Sequence, residues 1–200
     1  MSDPTAAPSP PVRVLVVAGS RRVGSFTRMV CDAAAEALAV AGAAIDRWDV
    51  GDPVLPLADP AHHRDPHRHP DPDVVRLVEA VDAADAFVLG SPVYHASYSG
   101  ALKNLLDHLG LPQFMYKPVS LVGHGGRVRS PAALDPLRVS MRGVLSVVLP
   151  TQVVAAMGDY EDGRVTDPEI LTRLDRLAHE LVTFTELTRP ARARLIARYA

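Results

Sequence analysis

The sequence predicts a doubly wound α/β domain: a five-stranded parallel sheet of order 2-1-3-4-5 between two helical layers. Three observations predict it. Five short strand-like runs, most of them β-branched and apolar, occur at 12–18, 44–50, 86–90, 119–124 and 147–156; strands buried on both faces read this way. Segments of helical period alternate with them, which right-handed crossovers convert into a parallel sheet. Glycine-bearing polar loops follow the first, third and fourth runs, at 19–27, 91–99 and 123–130. Doubly wound sheets bind ligands at those carboxyl ends, beside the point where the strand order reverses.

The elements follow in order. Residues 1–11 are small, polar and proline-rich, and a flexible tail is expected because they bury too little apolar surface to order themselves. After the strand at 12–18 and its loop, Phe26, Met29, Val30, Ala33, Ala37 and Leu38 recur at helical spacing, and Gly42 ends that helix. The strand at 44–50 leads into a Pro/His/Asp stretch, 51–72, expected to be irregular and either functional or mobile. Val74, Leu77, Val78 and Val81 set a helix over 73–84, ahead of the strand at 86–90. A helix at 100–109 carries Ala101, Leu102, Leu105, Leu106 and Leu109 on one face, with Ser99 as its N-cap. The strand at 119–124 and the Gly/Arg loop precede a helix ending near residue 145. Pro150 interrupts the last strand, since it has no N–H for the ladder. Asp167-Pro168 starts the final helix with a capping oxygen and a proline at the first helical position. The folded domain is expected over 12–187, with 188–200 a basic, frayed tail.

Composition excludes several function classes. Lys and Arg number 21 against 23 Asp and Glu, a net charge of −2. Neither a phosphate-backbone binder nor a strongly acidic electron carrier has that balance, and no nucleic-acid partner is expected. The single cysteine, Cys31, leaves no intrachain disulfide and is expected as a small core or interface residue. No apolar run approaches the ~20 residues of a membrane helix. No secretory signal is legible, so no membrane association and a cytoplasmic location are expected.

Chemistry is expected in the loops. The first, Gly19-Ser20-Arg21-Arg22-Val23-Gly24-Ser25-Phe26-Thr27, opens a helix whose free N–H groups and dipole favour an anion. It lacks the lysine of a Walker loop and the spacing of a dinucleotide fingerprint, so a terminal monophosphate suits it best. The second, Ser91-Pro92-Val93-Tyr94-His95-Ala96-Ser97-Tyr98-Ser99, offers aromatics and an imidazole as walls for a flat ring, with N–H groups near Val93 facing its heteroatoms. In the third, Gly123-His124-Gly125-Gly126-Arg127, the glycines suggest close backbone approach by a ligand. One phosphate cradle and two edges for a planar heterocycle describe a mononucleotide site, and FMN is the mononucleotide this architecture accommodates.

These residues carry a family resemblance. GSRRVGSFT (19–27), ADAFVLGSPVYHASYSGALKNLLD (84–107) and VSLVGHGG (119–126) resemble the NADPH-dependent FMN reductase family of flavodoxin-like, three-layer flavoproteins. The similarity is greatest to the reductase components of two-component flavin monooxygenases. The resemblance implies FMN, NADPH or NADH as co-substrate, and a homodimer or homotetramer. It implies hydride transfer from reduced nicotinamide to flavin, without a general base and hence without a dedicated catalytic side chain. It also implies reduced flavin supplied to a partner monooxygenase; the alternatives are an FMN-retaining quinone, azo or nitro reductase, or a flavodoxin-type carrier. By resemblance Ser20, Arg22, Ser25, Phe26 and Thr27 hold the phosphate. Pro92, Val93, Tyr94 and His95 line the isoalloxazine, and Gly125 and Gly126 its other edge. Val93, His95 and His124 depart from the residues usual at those positions in relatives.

Other residues are secondary. Arg127 and Arg129 are candidates for a 2′-phosphate. His62, His63, His67 and His69 lie in a proline-broken loop without cysteine, and no metal site is expected there. Trp48 is expected at a helix or subunit boundary, and the apolar 111–117 segment, with Phe114, Met115 and Tyr116, as interface material.

Overall fold

The computed structural model of the chain describes residues 10–198. Of the tail expected at 1–11, only Pro10 and Pro11 fall within it, and the remainder lies outside the described residues. Five parallel strands, β1 (Arg13–Ala18), β2 (Ala44–Asp49), β3 (Ala86–Pro92), β4 (Pro118–His124) and β5 (Val147–Ala155), form one sheet. Their order is β2-β1-β3-β4-β5, as the sequence predicts. A short hairpin, β6 (Tyr160–Glu161) and β7 (Arg164–Val165), follows β5.

Strand alternation divides the core in two. Val14 and Val16 of β1 pack beneath α1 (Phe26–Val40) and α6 (Pro168–Ile196). Leu15 and Val17 point the other way, towards α2 (Pro72–Ala83), α3 (Gly100–Asp107), the short α4 (Leu111–Phe114) and α5 (Leu134–Gly143). Both faces are therefore covered, which is why β1 and β3 have almost no polar positions. Helix starts are set by side-chain caps: Ser25, Asp71, Ser99 and Asp167 accept from the N–H groups of Thr27, Asp73, Leu102 and Ile170. Pro150 falls where the β4–β5 register shifts: Val119 pairs with Val148, but Leu121 pairs with Gln152. Trp48 is buried against α2, with the Arg76 guanidinium 5.9 Å from its ring centre.

Three expectations are corrected. The 51–72 stretch carries two turns of 3₁₀ helix, Pro60–His62 and Pro66–Arg68. It is fastened to α3: Asn104 accepts from Ala58 N (3.0 Å) and donates to the Pro56 carbonyl (2.7 Å). Prolines that break a long helix here supply short turns instead. The basic segment beyond residue 188 is helical to Ile196, despite Pro190. Its arginines are held by the body of the domain: Arg189 binds Asp85 (3.2 Å) and the Pro10 carbonyl (3.1 Å), and Arg192 donates to the Met115 carbonyl (2.9 Å). Phe114 is core, packed edge-on to Phe87 with ring centres 5.1 Å apart, so it is not free to form an interface.

Among the described residues no helix is long and apolar enough to cross a membrane, and no three His, Cys, Asp or Glu side chains converge as metal ligands. Of the histidines of the 60s, His67 pairs with Asp82 (2.7 Å) and two others pack as rings. His62 lies 4.7 Å from His69, and His69 lies 5.4 Å from the buried His108. His108 Nε2 donates to the Pro56 carbonyl (3.0 Å). Burial, with repulsion from His69, holds its pKa below the usual histidine value. The unfolded chain therefore takes up this proton first as pH falls, and stability drops below the ordinary histidine pKa of about 6.5. Melting temperature is expected to fall between about pH 7.5 and pH 5.5, with a shallower slope in His108→Gln. An unchanged slope in that variant would place the effect elsewhere.

Candidate functional site

The carboxyl ends of β1, β3, β4 and β5 meet in a cleft of about 300 Å³. Its floor begins with a backbone tie between the first and second loops. Gly19 N donates to the Gly90 carbonyl (2.8 Å), and Ser99 Oγ donates to the Gly19 carbonyl (2.5 Å) while accepting from Leu102 N (3.0 Å). One serine thus caps α3 and holds the first loop against the second.

Ser20, Arg22, Ser25, Phe26 and Thr27 line one side of the cleft. Ser20 Oγ accepts from Arg22 N (3.3 Å) and Ser25 Oγ from Thr27 N (3.1 Å). Each hydroxyl keeps its own proton to donate. The arrangement is an α-helix N-terminus with hydroxyl donors and an exposed guanidinium, which is complementary to a phosphate dianion.

Pro92, Val93 and Tyr94 form the facing ledge, and Gly126 lies at the third side. The N–H groups of this ledge are not free, contrary to expectation. Val93 N donates to the His124 carbonyl (3.1 Å) and Tyr94 N to the Ser97 carbonyl (2.9 Å). Ser97 N returns a bond to the Tyr94 carbonyl (3.0 Å), closing a two-residue turn in which His95 and Ala96 both have positive φ, 50° and 58°. Such a turn is rigid, and it positions Tyr94.

His95 and Gly125, both expected at the site, do not line the cleft. His95 is at the exposed tip of the turn. Gly125 is committed to its own loop: its N–H donates to the Ala155 carbonyl (2.9 Å), and an added Cβ would run into the Val128 carbonyl and Ser130 N. Gly123 is likewise packed inward, against Leu134 and the Ser91 carbonyl. Only Gly126, at φ 78° and facing open space, meets the expectation of a glycine presented to a ligand.

Arg129 is not available for a nucleotide phosphate. It forks onto Asp159 (2.9 and 2.8 Å) and reaches Glu169 (2.6 Å) and Asp167 (3.0 Å). The guanidinium holds the Asp159 carboxyl below its ordinary range. This network ties the 125–130 loop to the segment after β5 and to the start of α6. Arg127 remains exposed.

Two more residues line the cleft: Met157, which no motif in the sequence points to, and His124, which the resemblance places beside the ring as a departure from relatives. Met157 follows β5, whose end reaches the cleft because β5 adjoins β4; its N–H donates to the Gly126 carbonyl (2.8 Å). The signal was available in the strand order, which places a fourth loop beside the third. His124 stacks on Phe26 (4.7 Å, 26°) and lies edge-on to Tyr160 (5.6 Å). Burial lowers the His124 pKa, leaving the ring neutral, and burial raises that of the Tyr160 phenol. The His124 Nδ1 atom is shut off from water without a hydrogen-bond partner.

A family model described as NADPH-dependent FMN reductase matches residues 12–161. An FMN-dependent NADPH-azoreductase of Staphylococcus aureus is 42% identical over 113 residues, 54% of this chain and 60% of the relative. The match thus spans about 60% of the length of such curated relatives. Among solved structures, an oxidoreductase of Corynebacterium diphtheriae superposes with TM-score 0.74 at 25% identity, over 88% of this chain and 97% of the other. FerB, an NAD(P)H:(acceptor) oxidoreductase of Paracoccus denitrificans, shares the fold at TM-score 0.70 and 21% identity over the same shares. The chain belongs to the NADPH-dependent FMN reductase family.

Proposed function

We propose that the cleft binds FMN and that the protein is an NAD(P)H-dependent FMN oxidoreductase. The observation that carries this reading is one of placement. An anion cradle at the start of α1 faces an aromatic ledge and an open glycine across a single cleft. FMN held there would supply two-electron chemistry between a reduced nicotinamide and an acceptor.

The residues of the chain do the rest. Ser20, Ser25 and Thr27 donate to the phosphate and Arg22 neutralises it. Phe26, Pro92, Val93 and Tyr94 confine the ring, and Gly126 lets it approach the backbone. None of these groups need exchange a proton with the substrate, consistent with a protein that orients a cofactor rather than reacting itself.

Two downstream roles are supported by different observations. Identity to an azoreductase favours retained FMN that reduces azo, quinone or nitro compounds. The open mouth, where Tyr94 is 51% and Met157 53% exposed, also suits release of reduced flavin to a partner monooxygenase. The proposal includes a cytoplasmic homodimer or homotetramer.

Anaerobic NADPH oxidation with excess free FMN separates the two roles. Many flavins reduced per enzyme indicate release; a yellow protein that reduces menadione but not free FMN indicates retention. The site itself is tested by Arg22→Ala, expected to raise the Kd for FMN about tenfold without altering melting temperature. Unchanged affinity would remove Arg22 from the phosphate site.

A further inference from the structure

A second cavity opens at the carboxyl end of the sheet, and none of its lining residues belongs to the cleft. Its volume is about 370 Å³, within the range of small-molecule sites. The first loop borders both spaces. Ser20 and Arg22 line the cleft, whereas Arg21, between them in sequence, lines the second cavity. The other borders are α3 and the stretch after β2. Asn104 of α3 holds that stretch in place through Ala58 N and the Pro56 carbonyl, so its amide is engaged at both ends.

The chemistry of the lining is one-sided. Val54, Leu55, Leu57 and Leu105 supply aliphatic surface, and Val54 and Leu57 are 53% and 85% exposed. Contiguous exposed apolar side chains rimmed by a polar group mark interaction sites. No aromatic ring and no carboxylate lines the cavity, and Arg21 is its one charged residue. Arg21 is exposed, and among the described residues no carboxylate pairs with it. Asp49, at the end of β2, is already taken by Arg28 and by Gly51 N (2.7 Å). The cavity therefore combines an aliphatic wall with one uncompensated positive charge.

We propose that this cavity is a binding site for an aliphatic carboxylate, with the carboxylate on the Arg21 guanidinium and the chain along Val54, Leu55 and Leu57. A guanidinium fork matches a carboxylate with two parallel N–H bonds. The chain is aliphatic because the lining has no aromatic face on which a ring could stack. The ligand is a monoanion because one cation faces it, and a second negative charge would leave water without compensation. The site stands apart from the FMN reading and does not require bound flavin.

The probes are octanoate and 1-octanol, equal in chain length and different in charge. Each is titrated into the full chain, below the concentration at which it self-associates, while amide ¹H–¹⁵N shifts are followed. Octanoate is expected to move the amides of Arg21, Ala101 and Asn104 and to bind about tenfold more tightly than 1-octanol. Arg21→Gln is expected to reduce octanoate to the affinity of 1-octanol, and Leu57→Ser to weaken both probes. Both side chains are exposed, so neither change disturbs the core, and the wild-type comparison needs no variant. Equal affinities in the wild type, a preference that survives Arg21→Gln, or binding unaltered in Leu57→Ser would each overturn the proposal. So would shifts confined to Val93, Gly126 and Met157, which would put the probe in the cleft. No binding at all would overturn it too, and sedimentation would then show whether a second copy of the chain covers the cavity. Loss of flavin binding, measured separately, would overturn the FMN reading and leave this site standing.

Discussion

Gly90→Ala is expected to destabilise the domain by about 1–3 kcal/mol, the usual cost of forcing extra volume into a packed core. Gly90 lies on β3 directly beneath α1. A Cβ there would collide with Cys31 Sγ and would press on Val122 Cγ2 at 3.2 Å. Cys31 has little room to yield, since it is 2% exposed and its thiol lies 3.7 Å from the Val17 carbonyl. For a chain of this size the loss corresponds to roughly 2–4 °C of melting temperature per kcal/mol. Removing the sulfur should relieve the collision, so Gly90→Ala/Cys31→Ala is expected to be more stable than Gly90→Ala alone. Urea melts of the two single variants and the double variant give the coupling. If the double variant is no more stable than Gly90→Ala, Cys31 is not what sets the spacing between α1 and the sheet.

Gly125→Ala is expected to weaken FMN binding by at least about tenfold, equivalent to ~1.4 kcal/mol. Gly125 does not line the cleft, so the effect is indirect. An added Cβ would overlap the Val128 carbonyl and approach Ser130 N to 2.6 Å. Both atoms are backbone and neither can rotate away. The loop from 126 to 130 must shift, and Gly126 shifts with it from the cleft wall. Arg129 resists that shift through its bonds to Asp159, Asp167 and Glu169, so the displacement strains the segment carrying Met157 as well. Gly126→Ala is a useful contrast: its Cβ meets open space, and only its φ of 78° opposes the change. That costs about 1–2 kcal/mol without a collision. Flavin fluorescence titrations of both variants check the order. Affinity in Gly125→Ala equal to the wild type would show that the third loop does not border the flavin.

The local readings that held share one property: each depends on contacts close in sequence or on strand alternation. Ser99 and Asp167 were readable as caps because a cap bonds three residues along. The first loop was readable as one side of the cleft because its residues are contiguous from Ser20 to Thr27. The second and third loops were harder. His95 sits in sequence beside Tyr94, yet the tight turn at His95-Ala96 sends the two side chains to different places. The glycines at 123, 125 and 126 look alike in sequence, but two serve internal packing and one faces the cleft. Arg129 read as a free cation because its three carboxylates lie 30 to 40 residues away.

The sequence by itself determined the strand order, the position of the cleft at the carboxyl ends of the strands, and the helix N-terminus that borders it. Those follow from hydrophobic period, chain handedness and helix-terminus chemistry, which act over short stretches of chain. Tertiary structure alone decided which side chains meet across the cleft. It brought Met157 to the rim, placed His124 on Phe26, spent Arg129 on an ion-pair network and held the helix past Pro190 through Arg189 and Arg192. Each of these depends on pairing between residues distant in sequence. Such pairs are set by how the layers pack, and no local pattern records them.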